Sequence, residues 1–279
     1  MQVIAAIRIR WYYIVWKIVK ILQSDSTYHF LCLLCFMQNA GFLLKYIYIY
    51  GVWIMKKTKD TAANGVTGKI NIPQLYRLKN RDKEKLVLTY LDAFDQYPKL
   101  LNVFPDKRKR LLALEATLRY YTAYDMMYGA GFSLDENIHE AVMLVHSDRM
   151  KYTFLKHLAA GSYSREYRSV MSRLSTEDRK LRIELFDELD LLESRLDIPR
   201  PHIYADFLGV EKKYQHQGRG RKLMTQVCRY ADDAGLPVML FTNTADDVKF
   251  YQSLGFDVIG ETSSEKFGFV NTYMLYTNR

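Results

Sequence analysis

Apolar positions along this chain recur with two different periods. Over 82–97 they fall at Leu86, Leu88, Leu91 and Phe94, near helical spacing, and Pro98 marks the stop. A second helix is expected from just after Pro105 to about Asp125. Residues 126–145 read as a hairpin, with Ser133-Leu134-Asp135-Glu136-Asn137 as turn chemistry between two apolar runs. Over 150–196 the pattern is helical again. Leu181, Leu185, Leu189 and Leu192 form one stripe, and Asp187, Glu188, Asp190 and Glu193 would occupy the opposite face, solvated or bordering a substrate entrance. Residues 75–78, 203–210, 238–242 and 269–276, and a segment opening at Asp257, have the β-branched and aromatic content of strands. Helical patterns fill 221–234 and 246–254, the latter ended by Gly255. This order predicts a single mixed α/β (α+β) domain over 73–279.

Residues 1–55 follow a different pattern. They hold all three tryptophans (Trp11, Trp16, Trp53), and five basic residues face the single acid Asp25, a net of +4 out of +9 for the chain. The stretch 11–22, with Lys17 and Lys20, suits a basic helix in a membrane interface. Residues 28–55 are apolar enough and long enough to cross a bilayer. Lys56, Lys57 and Lys59 follow, and the positive-inside rule would then leave the C-terminal domain in the cytoplasm. Met55 equally begins Met-Lys-Lys-Thr-Lys-Asp, a start that suits a soluble cytoplasmic protein. The segment is therefore a membrane anchor, a packed helical extension or a start-site artefact, and a membrane is a partner only in the first case. Residues 56–72, small and polar, read as a linker.

Composition narrows the chemistry only slightly. Cys32 and Cys35 form a C-x-x-C inside an apolar run, without the helix start of a redox motif or the second ligand pair of a zinc site, so no metal site is expected. The run Lys107-Arg108-Lys109-Arg110 reads as a solvated face. No helix-turn-helix or aromatic-rich sheet pattern accompanies it, so no nucleic-acid partner is expected.

The informative stretch begins at His202. A strand over 203–210 leads through Gln215-His216-Gln217-Gly218-Arg219-Gly220 into a helix. A helix start leaves backbone N–H groups unpaired and carries partial positive charge. Glycines let the chain turn tightly and bring those groups close to phosphate oxygens, with Arg219, Arg221 and Lys222 beside them. The loop lacks the Gly-Lys-Ser/Thr ending of a P-loop and is not G-x-G-x-x-G after a first strand.

Here the chain resembles the GCN5-related N-acetyltransferase (GNAT) superfamily. Gln215-x-x-Gly218-x-Gly220 is similar to that family's pyrophosphate-loop motif. Val248-x-Phe250-Tyr251-x-x-x-Gly255-Phe256 resembles its second cofactor motif, in order and at the right distance. The resemblance covers about 202–256. It implies a mixed sheet, flanked by helices and split like a V where two parallel strands diverge, with acetyl-CoA wedged into the opening. The end of the strand at Leu208-Gly209-Val210 would offer backbone groups to the pantetheine arm. Gln215, His216, Gln217, Gly218, Arg219, Gly220 and Arg221 would hold the pyrophosphate. Asp247, Val248, Phe250 and Tyr251 would line the other wall.

The implied chemistry is direct attack of a neutral amine on the thioester, which needs a base, a donor to the carbonyl oxygen and an acid for the thiolate. Tyr251 matches the family's acid. His202, Asp206 and Glu140 are the candidate bases, with His202 and Asp206 expected on one strand face from their even separation. Phe241 and Asp247 depart from the pattern of near relatives, which carry an acid and an amide there. The amine acceptor stays unnamed. A non-catalytic acyl-CoA sensor with the same fold is the alternative reading.

Overall fold

The computed structural model describes residues 69–150, 156 and 164–277. The apolar N-terminal extension, Cys32, Cys35 and most of the linker fall outside the described residues. Among the described residues, no helix is long and apolar enough to cross a membrane.

Seven strands form one mixed sheet: β1 (Tyr76–Arg77), β2 (Ala130–Ser133), β3 (Glu140–His146), β4 (Ile203–Val210), β5 (Val238–Thr242), β6 (Asp257–Ser264) and β7 (Phe269–Tyr276). Their order is β1-β2-β3-β4-β5-β7-β6. Every neighbouring pair is antiparallel except β4–β5, which is parallel. Among the described residues seven α-helices connect them: α1 (Lys83–Phe94), α2 (Pro98–Val103), α3 (Lys107–Tyr128), α4 (Arg165–Met171), α5 (Thr176–Glu193), α6 (Arg219–Ala234) and α7 (Ala245–Gln252).

Helices cover both faces. On one, α6 buries Leu223, Met224, Val227, Cys228 and Ala231, a single stripe at helical spacing, against Val142, Leu144, Ile203, Ala205, Val238 and Leu240. Full burial of each large member contributes about 1.5–3 kcal/mol. On the other, Leu86, Val87 and Tyr90 of α1 and Leu114 and Leu118 of α3 pack on Ala141 and Met143. Gly209 permits the close approach of α1, since a Cβ there would lie 2.6 Å from Tyr90 Cδ1.

Several sequence expectations shift. Pro98 ends one helix but also opens α2, occupying its first turn, where a missing N–H costs nothing. The second helix runs to Tyr128 rather than Asp125, which narrows the hairpin to β2 and β3. The long helical pattern is broken before α5, where the Ser175 side chain caps the new helix by accepting from Asp178 N. Within the basic run, Arg110 is not solvated. It is buried and donates to the carbonyls of Asp95, Phe104 and Pro105.

One irregularity shapes everything downstream. Along β3 and β4 the pairs Met143–Phe207 and Leu144–Ala205 are consecutive, so Asp206 is skipped as a β-bulge. An extra residue bends its strand and increases the local twist. Of the eight residues of β4, only Ile203 and Tyr204 pair with β5, at Val238 and Met239. Beyond the bulge the two parallel strands part, while β5 stays paired with β7 along all five residues. The sheet is thus split into a V whose mouth lies between the ends of β4 and β5.

Candidate active site

The first wall of the V is β4 and the loop leaving it. The Gln215 side chain folds back, its amide donating to Val210 O at 2.9 Å, so the loop curls tightly off the strand end. His216 and Gly218 both have left-handed backbones, with φ of 59° and 75°. Gly218 meets no atom that a Cβ would touch, so its role is conformational. The first hydrogen bond of α6 runs from Lys222 N to Gly218 O, and no side chain among the described residues caps the helix. The N–H groups of Arg219, Gly220 and Arg221 therefore lack intrahelical partners at the positive end of a sixteen-residue helix. Gly220 sits between Val210 and Phe250, at 3.5 and 3.7 Å from where its Cβ would be.

The arginines beside this cradle do different work from the charge supplement expected of them. Arg219 pairs with Glu140 through Nε and with Asp135 Oδ2 at 3.0 Å through Nη2. Glu140 is wholly buried and also accepts from Ser133 Oγ and Leu134 N, both at 2.9 Å. That saturated carboxylate is an anchor for the loop, which removes Glu140 from the candidate bases. Arg221 crosses to the second wall, donating to Ser253 Oγ at 2.6 Å and lying over the Phe250 ring.

The second wall is the end of β5 and the helix α7. Thr244 caps α7 by accepting from Asp247 N at 3.0 Å. Asp247 Oδ2 accepts from Thr242 Oγ1 at 2.9 Å, and Thr242 is in turn bonded to the Tyr97 hydroxyl at 3.2 Å. Asn243 N also donates to Tyr97, which pins the α1–α2 connection over the strand end. Val248 packs into the core, and Tyr251 lies edge-on to Phe250 and Phe256. Burial, then the nearby Asp247 carboxylate and Tyr97, push the Tyr251 hydroxyl far above the ordinary tyrosine range, so it holds its proton.

Asp206 of β4 and Asp125 of α3 form a carboxyl pair. Burial and the charge of Asp206 push Asp125, on the last turn of α3, well above the usual carboxylate range. No donor among the described residues reaches either Asp125 oxygen or Asp206 Oδ2. Asp206, at the bulge, is pushed up to about 6 by burial, moderated by the facing Asp125 carboxyl and the positive charge of Lys99. Burial raises both acids, so the pair holds a proton to higher pH than exposed carboxylates would. Lys99 is lowered to about 8, chiefly by burial. Its ammonium stands 4.8 Å from the centre of the Phe241 ring and 5.7 Å from that of Phe269.

Residues 188–258 match the family model described as an acetyltransferase (GNAT) domain. This segment of the chain is a GNAT acetyltransferase domain. Solved structures similar to it include a protein described as histone acetyltransferase HPA2 and related acetyltransferase from Corynebacterium glutamicum. That one is 15% identical, over 75% of this chain and 98% of the other, at a TM-score of 0.46. Arylalkylamine N-acetyltransferase 2 from Aedes aegypti is 13% identical over 74% and 98%, at 0.47. Naa20 from Chaetomium thermophilum, in complex with a bisubstrate analogue, is 15% identical over 73% and 86%, at 0.39. No curated protein gives a significant match to the chain.

Within this GNAT sheet, Leu208, Gly209 and Val210 run along the stretch of β4 that has parted from β5. His202 does not join them. It precedes β4, is buried, and its Nδ1 lies 2.6 Å from Pro199 O, with burial lowering its pKa. Its even spacing from Asp206 does not bring its ring to the carboxyl pair, because Nδ1 is taken up by Pro199 O at the start of the strand. Asp125, Lys99 and Tyr97 were not visible as site residues in the sequence. Asp125 carried one usable signal, as the only acid in the apolar and aromatic run 120–128.

Proposed function

We propose that this GNAT domain is an acetyl-CoA-dependent N-acetyltransferase acting on an amine. The observation that carries the reading is the opening between β4 and β5, bordered by the uncapped start of α6, with Asp206 on β4 and Tyr251 on α7. The residues fit the cofactor. Unpartnered N–H groups of Arg219, Gly220 and Arg221 suit a pyrophosphate, and the unpaired edge of β4 suits an extended amide-bearing arm. Acetyl-CoA, when bound, supplies an acyl group activated as a thioester.

The chain's own groups then handle protons and position. Asp206, ionised near neutral pH, takes the proton that an ammonium must lose before it can attack. A backbone N–H near Leu208 polarises the acyl oxygen. Tyr251 gives its proton to the departing sulfur, and burial guarantees that the proton is there to give. Lys99 keeps Asp206 ionised by its charge. The sensor reading rested on the want of a base, and Asp206 fills that place.

The test is thiol release from acetyl-CoA by the full chain against a panel of amines. Tyr251→Phe should lower kcat by about 10²-fold or more, with little change in acetyl-CoA affinity. Failure of the chain to bind acetyl-CoA in calorimetry would overturn the reading.

A further inference from the structure

The loop after β4 is fastened from outside itself, by the turn between β2 and β3. That turn carries an outlier. Ile138 has a left-handed backbone, with φ of 54°, which a β-branched residue adopts only at a cost. Packing holds it there: the Ile138 side chain is buried with Leu78, Leu86 and Ala141, and its carbonyl accepts from Thr89 Oγ1 at 2.6 Å. The consequence lies one residue on. Glu211 N donates to His139 O at 2.8 Å, which carries the β3–β4 pairing one step past Glu140–Val210. His139 is thereby set beside the first residue after β4.

The imidazole makes two contacts with the loop. Nδ1 lies 3.0 Å from Glu211 Oε2, and because an ionised carboxylate only accepts, the proton of that bond is on Nδ1. The face of the ring stacks on Tyr214, with centres 4.0 Å apart and planes 28° from parallel. Glu211 opens the short turn Lys212–Tyr214, and Tyr214 N donates to Glu211 O at 2.8 Å. His139 therefore grips both ends of that turn, and Gln215 follows it directly. On the other side of the loop Arg219, paired with Glu140, stands 5.7 Å from the centre of the same Tyr214 ring. The consecutive residues His139 and Glu140 thus hold the loop before Gln215 and after Gly218.

Electrostatics gives the first grip a second purpose. Glu211 lies four residues before Gln215, where a bare carboxylate would repel a pyrophosphate. Burial alone would raise this carboxyl, but the hydrogen bonds from Lys85 and His139 outweigh burial and hold it below its usual range. The carboxylate is thus ionised and already engaged by two donors.

We propose that His139 is a positioning residue for acetyl-CoA, which fixes the pyrophosphate loop in its binding conformation by holding Glu211 and Tyr214 together. This rests on the acetyl-CoA reading above and adds a residue from outside the loop. A loop ordered before the cofactor arrives binds it without a further ordering cost. Removing His139 should therefore weaken only the part of binding that uses the pyrophosphate. The groups assigned to proton transfer, Asp206 and Tyr251, sit on other segments and should work as before once the cofactor is bound.

The experiment titrates CoA into the full chain by calorimetry, in the wild type and in His139→Ala. The variant should bind about tenfold more weakly. Thiol release with the best amine of the panel then compares acetyl-CoA with S-acetylpantetheine, which lacks the pyrophosphate. In His139→Ala the KM for acetyl-CoA should rise about tenfold with kcat within about twofold, and kcat/KM for S-acetylpantetheine should not change. Unchanged CoA affinity in the variant overturns the assignment, and so do equal losses with both thioesters, which mark a general loss of structure. Should His139→Ala not fold, Tyr214→Leu removes the ring that His139 stacks on and is judged by the same two readouts. Absence of CoA binding by the wild type overturns the cofactor reading itself.

Discussion

Replacing Asp206 by asparagine separates the chemistry of the site from its cost to the fold. The side chain keeps its size, loses its charge and can no longer accept a proton from an ammonium. General-base catalysis contributes about 10²–10⁴-fold, so kcat/KM should fall by that factor and the acidic limb of its pH profile, centred on the Asp206 ionisation at about 6, should disappear. Stability should move the other way. The folded state raises this carboxyl from 3.8 to about 6, chiefly by burying it. The sign follows from proton binding: the folded protein holds the proton more tightly than the unfolded chain. Stability is therefore full below the unfolded value and is lost as pH rises through the folded one. The gap corresponds to up to about 3 kcal/mol, surrendered by the wild type between about pH 4 and pH 7. The Asp206→Asn side chain has no proton to lose, so the variant should be more stable than the wild type above neutrality by up to that amount, with the difference shrinking toward acid. Urea unfolding followed by circular dichroism across this interval measures it, beside thiol-release kinetics on the same samples. A variant that is inactive and also less stable at neutral pH would refute the account of Asp206 as a charge held in a site that disfavours it. A variant that keeps the wild-type rate and acidic limb would remove it as the base.

Two further outcomes follow from the same geometry. Lys99→Met removes the positive charge that favours ionised Asp206, so the acidic limb of kcat/KM should move upward from about 6, and an unmoved limb would show that Lys99 does not act on this carboxyl. Glu140→Ala leaves Arg219 without its buried partner and should cost about 3–5 kcal/mol in urea unfolding, with acetyl-CoA binding weakened in calorimetry because the loop loses its anchor. Loss of stability with unchanged cofactor binding would show that the clamp supports the fold and not the loop.

What could be read from the chain by itself was whatever is local. The turn into α6 requires a left-handed residue and a helix start without a cap, and Gly218-Arg219-Gly220 states both within three positions. β-branched and aromatic content placed β4 and β5, helical spacing placed α6 and α7, and two short motifs beside those elements carried the family resemblance. Tertiary structure decided what depends on distant segments. The bulge at Asp206 exists only in its pairing with β3, and β4 has parted from β5 by that point. Arg219 looked like free charge until residues 79 and 84 positions away, Glu140 and Asp135, closed on it. Asp125 became half of a carboxyl pair only when α3 packed on the sheet, and Lys99 came over Phe241 only because Tyr97 fastened α2 to the end of β5. A loop that binds through its own backbone is written in consecutive residues. A proton-transfer site is made by burial and by charges facing one another, and those exist only once separate elements have packed.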